Sequence, residues 1–279
     1  MGIRIISNSE FYDPDNTLPF VELDDAIRRG LTTGLLDFGN QDCTVETGEI
    51  SASTVFTSLT NGREQATAGT ALGAIVTGMV ELSSEVSGPK INLPDTYNLP
   101  SDCTEFLAIM WLKAPLSGWT DAVTTNSLMG LMSNTTDAQW GFVLTRVSGG
   151  TVGSLRGYFP VSDVGIGNII LGSGSVLSGV FDGTAHQIAL HWARGDGQYT
   201  STLYVDGVVV ATATGAYTAG SIIVPAVTQA TIGRAGAAFN AAYPNVRMGR
   251  PSLWNLSGSG ASVSDILADD MDAAAGLIV

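Results

Sequence analysis

The stretch Leu203-Tyr204-Val205-Asp206-Gly207-Val208-Val209-Val210 decides the fold. Two runs of β-branched and aromatic residues flank an Asp-Gly pair. Asp-Gly supplies the two positive φ angles of a two-residue type I′ turn, so the segment predicts an antiparallel hairpin. Outward from it the period of two persists. In His186-Gln187-Ile188-Ala189-Leu190-His191-Trp192, the residues Ile188, Leu190 and Trp192 share one face while Gln187 and His191 take the other. Residues 140–147 read as another strand. Phe106-Leu107-Ala108-Ile109-Met110-Trp111-Leu112 is apolar at every position, as a central strand covered on both faces should be. Ala230-Thr231-Ile232 and Pro251-Ser252-Leu253-Trp254-Asn255 add late strands. Residues 262–268 predict a short C-terminal helix, with Ser262 capping toward Asp265.

Many short strands, turn signals at close intervals and almost no helix indicate an all-β sandwich or barrel. The 279 residues include 34 glycines, 44% are hydrophobic and only 14% are charged, which suits short strands joined by tight turns and excludes disorder. A net charge of -14 repels phosphate and argues against nucleic-acid binding. No apolar run approaches the ~18 residues of a membrane-spanning helix, so no membrane insertion is expected. Cys43 and Cys103 lack any Cys-x-x-Cys spacing and read as free, buried thiols.

The order of the segments resembles the laminin G-like and concanavalin A-like lectin domains. The matching pieces are Phe106 to Trp111, then Phe181-Asp182-Gly183-Thr184-Ala185-His186, Leu203-Tyr204-Val205-Asp206-Gly207, Thr231-Ile232-Gly233, and Leu253-Trp254-Asn255 leading into the helix. Upstream, Asn61-Gly62 and Lys90-Ile91-Asn92-Leu93-Pro94 stand where that family's first strands fall. Ala185 departs from the pattern, since many relatives carry Trp beside the His. The resemblance implies an antiparallel jelly-roll β-sandwich of two large sheets over residues 31–279. Residues 1–30 are set apart as an N-terminal arm, with Ile3, Ile5, Phe11 and Tyr12 as docking residues.

The same fold hosts glycoside hydrolases, which need two carboxylates about 5–9 Å apart. The glucanases of this fold carry them in a Glu-x-Asp-x-x-Glu-like motif, and none occurs here. Glu81 and Glu85 lie four apart, and Asp269, Asp270 and Asp272 fall in the terminal helix. His186 and His191, five apart on a strand, point to opposite faces, which excludes a shared triad or a two-His metal site. His186 is expected to hydrogen-bond a turn. No motif demands a cofactor. Calcium is the one ion the resemblance leaves open, because relatives hold it at a rim and Asp182, Asp196 and Asp206 lie in or beside turns, but no spaced ligand set names a site.

Sugar binding is expected to use aromatic side chains on rim loops, and Trp119, Tyr243 and Phe239 fall in Gly/Ala/Asn-rich loops. The alternative is that they plug the ends of the sandwich, which suits Phe239 best because it lacks a polar tip. The first residues, Met1-Gly2-Ile3-Arg4-Ile5-Ile6-Ser7-Asn8, lack the apolar core of a secretory leader. The expectation is therefore a non-enzymatic virion protein of a bacteriophage, of decoration, collar or tail-fibre type. It would dock through its arm on other subunits, form homo-oligomers and engage cell-surface carbohydrate. A lectin module at the cell surface is the alternative, and a glycoside hydrolase the weaker third.

Overall fold

Alternation of apolar and polar residues builds the molecule strand by strand. A computed structural model describes residues 31–44, 48–60, 62–82, 88–119, 125–147, 149–239, 242–275 and 278. In chain order the first elements are β1 (Thr32–Leu35), β2 (Glu49–Ile50), β3 (Val55–Thr57), β4 (Gln65–Ala68), β5 (Leu72–Val76), β6 (Met79–Glu81) and β7 (Lys90–Asn92). A 3-10 turn over Asp95–Tyr97 leads to the long strands β8 (Glu105–Pro115), β9 (Thr125–Asn134), β10 (Asp137–Val147), β11 (Thr151–Pro160) and β12 (Ile166–Leu171). A short helix α1 (Ser175–Val180) precedes β13 (Asp182–Gly195), β14 (Gln198–Val205) and β15 (Val208–Ala216). Then come β16 (Thr231–Gly233), β17 (Arg247–Asn255) and helix α2 (Val263–Ala274).

Among the described residues, these strands form two antiparallel sheets. The first runs β15-β14-β13-β8-β17-β6-β5-β2, with β1 also paired to β17. The second runs β12-β11-β10-β9-β16-β7-β4-β3. The two face each other as a jelly-roll sandwich, the class expected. The hairpin read first is present: Val205 pairs with Val208 across Asp206 (φ 48°) and Gly207 (φ 73°). Asp196 and Gly197 make a second such turn between β13 and β14, also with positive φ at both positions.

The core fills from alternate positions. Phe106, Ala108, Met110 and Leu112 of β8, Ile188, Leu190 and Trp192 of β13, and Trp140, Phe142 and Leu144 of β10 meet between the sheets. Phe106 stacks on Trp192 at 5.6 Å between ring centroids. The other face of β8 is apolar for a separate reason: Leu107 and Ile109 pack with Leu35, Trp254, Ile266 and Leu267 beneath α2. Burying each such side chain stabilises the fold by about 1.5–3 kcal/mol. Cys43 and Cys103 are free and buried, and burial is the main reason the Cys43 thiol is pushed up to about 12. The arm residues Ile3, Ile5, Phe11 and Tyr12 lie outside the described residues.

Helix α2 begins as expected, the Ser262 hydroxyl accepting from the Asp265 N–H, but it continues to Ala274. Acidic residues near a helix C-terminus oppose the macrodipole. Tertiary contact overrides this. Asp270 is buried and accepts from Arg250 Nε (3.2 Å), Trp111 Nε1 (3.0 Å) and Gln187 Nε2 (2.8 Å). The Arg250 guanidinium also pairs with buried Asp37 after β1. Arg250 stands at a bulge in β17 with φ 38°, just before Pro251, whose carbonyl accepts from Tyr97 Oη (2.7 Å) and Leu36 N (3.1 Å).

Removing one member strands a charge in the interior. Asp270→Ala is expected to lower the unfolding free energy by about 3–5 kcal/mol, seen as a lower urea midpoint at unchanged slope. Replacing Asp37, Arg250 and Asp270 together by apolar residues of matched volume should recover most of that loss.

Candidate functional site

The aromatic shelf expected at the rim does not form; Trp119, Tyr243 and Phe239 are buried, as the alternative reading had it. Trp119 is 4% exposed and donates Nε1–H to the Pro115 carbonyl at 2.9 Å. Its own carbonyl lies so close to Gly150 (φ 67°) that a Cβ there would come within 2.3 Å. Tyr243 is buried with its hydroxyl on the Ser127 carbonyl at 2.6 Å. Phe239 packs on Met132, Ala138, Val143 and Tyr158, on the far side of β10 from the core. A Gly/Ala-rich loop reads as open chain. Here its backbone has partners that hold it against the second sheet. Asn126 Nδ2 donates to Ala242 O (2.8 Å), and the Ser127 hydroxyl donates to Gly233 O (2.7 Å) while accepting from Ala235 N (2.8 Å).

His186 does bind a turn, as read. Its Nδ1 lies 2.7 Å from Asp206 Oδ2 in the β14–β15 turn, and its Nε2 lies 2.9 Å from Thr184 Oγ1 and 3.3 Å from Asp182 Oδ1. Thr184, His186 and Asp206 thus line up like a nucleophile, base and orienter. The Thr184 hydroxyl, however, donates its hydrogen bond to Asp182 Oδ1 at 2.7 Å. Its lone pair then faces the imidazole, so the cluster is an electrostatic knot and does not activate an oxygen. Burial alone would lower the His186 pKa, but the hydrogen bond and charge of Asp206, then of Asp182, outweigh it and hold the group above 6.5. The Thr184 hydroxyl and N–H, followed by His186, draw Asp182 down from 3.8 to about 2.

These contacts also settle where the loop carboxylates go. Asp182 and Asp206 are engaged by the imidazole and by the N–H groups of Thr184 and Gln187. Among the described residues, no group of three or more His, Cys, Asp or Glu could hold a metal ion. His191 faces the opposite way from His186 and meets Glu105 Oε1 at 2.9 Å. Glu81 pairs with Arg247, and Asp270 is sealed under α2.

What the second sheet leaves open is a cleft of about 690 Å³ on its outer face. In β4, Ala66 and Ala68 enter the core, so Gln65 and Thr67 point outward; in β7, Ile91 enters and Asn92 points outward; in β16, Ile232 enters and Thr231 points outward. Thr67, Asn92 and Thr231 are cross-strand neighbours in one row. Gln65, Thr67, Asn92 and Gln229 line the cleft with Asp95, and Arg63 and Glu64 come from the β3–β4 turn. The Thr60 hydroxyl donates to Glu64 Oε2 at 3.4 Å, and Gly62 leaves room for that carboxylate, since a Cβ there would come within 1.9 Å of it.

One atom of a lining residue, Asn92 Oδ1, and one of its cross-strand neighbour outside the lining, Thr231 Oγ1, are buried without a hydrogen-bond partner among the described residues. Such a group costs about 1–3 kcal/mol unless something satisfies it. The arrangement suits a ligand that both donates and accepts hydrogen bonds, as a hydroxyl does. Sequence reasoning missed it, because Gln65, Thr67, Asn92 and Gln229 are single polar residues spread over more than half the chain. The one available signal was their outward position on each strand.

No protein-family model matches the sequence, and no curated protein matches it. Among solved structures the sandwich is similar to the botulinum neurotoxin serotype D binding domain, with a TM-score of 0.53 and 11% identity over 81% of this chain and 49% of that one. It is also similar to the binding domain of botulinum neurotoxin DC in complex with SialylT (TM-score 0.51, 10% identity, 82% and 51% covered). A third is the serotype C1 binding domain (TM-score 0.51, 9% identity, 84% and 52% covered). The chain spans about half the length of these structures, and identities at this level establish the shared lectin-like β-sandwich alone.

The His186 knot has a defined pH window. A raised histidine pKa gives stability that is complete below about pH 6.5 and lost as pH rises through the folded value. A depressed Asp182 gives stability that is complete above about pH 4 and lost toward about pH 2. Warming the protein at about pH 6 and again at about pH 9 should show a lower melting temperature at the higher pH. His186→Gln should flatten that difference; an equal slope in the variant would place the titration elsewhere.

Proposed function

We propose that this chain is a non-catalytic recognition module that binds a hydroxyl-rich glycan in the cleft between the β3–β4 turn, β4, β7 and Gln229. The observation that carries the reading is Asn92 Oδ1, which belongs to a cleft-lining residue and is buried without a hydrogen-bond partner among the described residues, amid neighbouring amides and hydroxyls. Sugar hydroxyls donate and accept at once, so one ring can serve several such groups. In this reading selectivity rests on hydrogen bonds, since no aromatic side chain is among the lining residues. The likeness to binding domains, one of them in complex with SialylT, agrees with a recognition role.

The finer likeness to laminin G-like and concanavalin A-like lectins belongs to the same proposal, as does absence of catalysis. So does service in a larger assembly such as a bacteriophage particle. Residues 1–30 would supply the docking segment there. Deleting residues 1–30 should leave a soluble, cooperatively unfolding sandwich that no longer co-purifies with its neighbouring subunits. A truncated chain that fails to fold would make the segment part of the core.

The cleft is tested by a glycan array followed by titration calorimetry with the best neutral oligosaccharide. Thr67→Val removes a cleft hydroxyl at nearly constant shape, so thermal stability should hold while affinity falls about tenfold, as expected for one lost hydrogen bond. Asn92→Ala should weaken binding similarly. Unchanged affinity in both variants, or no glycan bound by the wild type, would overturn the assignment.

A further inference from the structure

The two sheets end on the same side of the molecule, at β12 and β15, which pack against one another. That side is built from unusual sequence. Residues 164–181 and 207–233 contain no charged residue, in a chain of net charge -14. Of the seven large apolar side chains that are exposed among the described residues, five come from the edge strands and the segments adjoining them. These are Val164 before β12, Ile170 in β12, Val176 in α1, and Val208 and Val209 in β15, with exposures of 81%, 48%, 50%, 64% and 53%. Exposed large apolar side chains gathered on two adjoining edge strands mark a candidate interaction side.

Among the described residues no strand pairs with the outer edge of either β12 or β15. Edge strands are usually guarded by charge, proline or a bulge. β15 has one bulge, at Val210, where the register against Leu203 and Tyr204 slips. Beyond it, residues 211–216 pair regularly with β14 and carry neither charge nor proline.

From this we infer that a second copy of this chain docks on the β12–β15 face, its β15 pairing antiparallel with β15 across a two-fold axis. Charge selects the occupant. Two copies at -14 repel over most of their surfaces, and this uncharged flank is where they approach at least cost. Geometry agrees, because an antiparallel edge is self-complementary under a two-fold: each copy supplies the N–H and C=O row the other lacks. The first sheet then becomes continuous through both copies, with Val208 and Val209 at the seam.

Sedimentation velocity on the full chain between about 1 and 100 µM tests this. The wild type should form dimers whose dissociation constant falls as sodium chloride rises from about 0.05 to 0.5 M, since salt screens the repulsion elsewhere. Thr212→Lys, in the exposed middle of β15, should weaken the dimer at least tenfold without changing the far-ultraviolet circular dichroism. Val209→Lys should act in the same direction. A wild type that stays monomeric at 100 µM, or a dimer indifferent to both substitutions, would overturn the inference and assign the face to another occupant.

Discussion

The buried guanidinium of Arg250, held between Asp37 and Asp270, is the interaction on which the surrounding architecture depends. Three ionised groups out of water are stable only when each is fully paired. Satisfying them fixes three pieces of chain at once: the segment after β1, the bulge in β17, and α2. Trp111 and Gln187 add donors from β8 and β13, so three adjacent strands of the first sheet, β13, β8 and β17, share one polar centre with the helix. Once α2 is seated by Asp270, its apolar face covers Leu107 and Ile109.

That seating divides the labour between the two outer faces. The first sheet is sealed by a helix. The second is covered over β9 and β10 by the loop that carries Phe239, and left open over β4 and β7. The cleft follows from where cover stops. Its floor shows the usual alternation of a half-buried strand, with hydroxyls and amides outward. Within it Asn92 Oδ1 is shielded from water with no hydrogen-bond partner among the described residues.

The His186 cluster shows how geometry and chemistry can part. Hydroxyl, imidazole and carboxylate stand in line, yet a second carboxylate at Asp182 accepts the hydroxyl's hydrogen bond and favours the charged imidazole. The result fastens the start of β13 to the β14–β15 turn. The same turn starts the edge strand, so the knot also orients the uncharged flank that begins at Val208.

Local pattern determined much of this protein. The Asp-Gly turn, the alternation around Ile188, the doubly apolar β8 and the Ser262 cap are each legible within a few residues, because backbone sterics and side-chain period act over that range. The fate of Trp119, Tyr243 and Phe239 was not legible. A glycine-rich loop reads as exposed unless one knows that Asn126 and Ser127, over a hundred residues away in sequence, hold its backbone down. Arg250 carries no signal in sequence, since its partners lie 213 and 20 residues distant. The cleft, too, waits for the strands to be placed side by side. Thr67, Asn92 and Thr231 become one row only through pairing order, which long-range burial decides and local propensity does not.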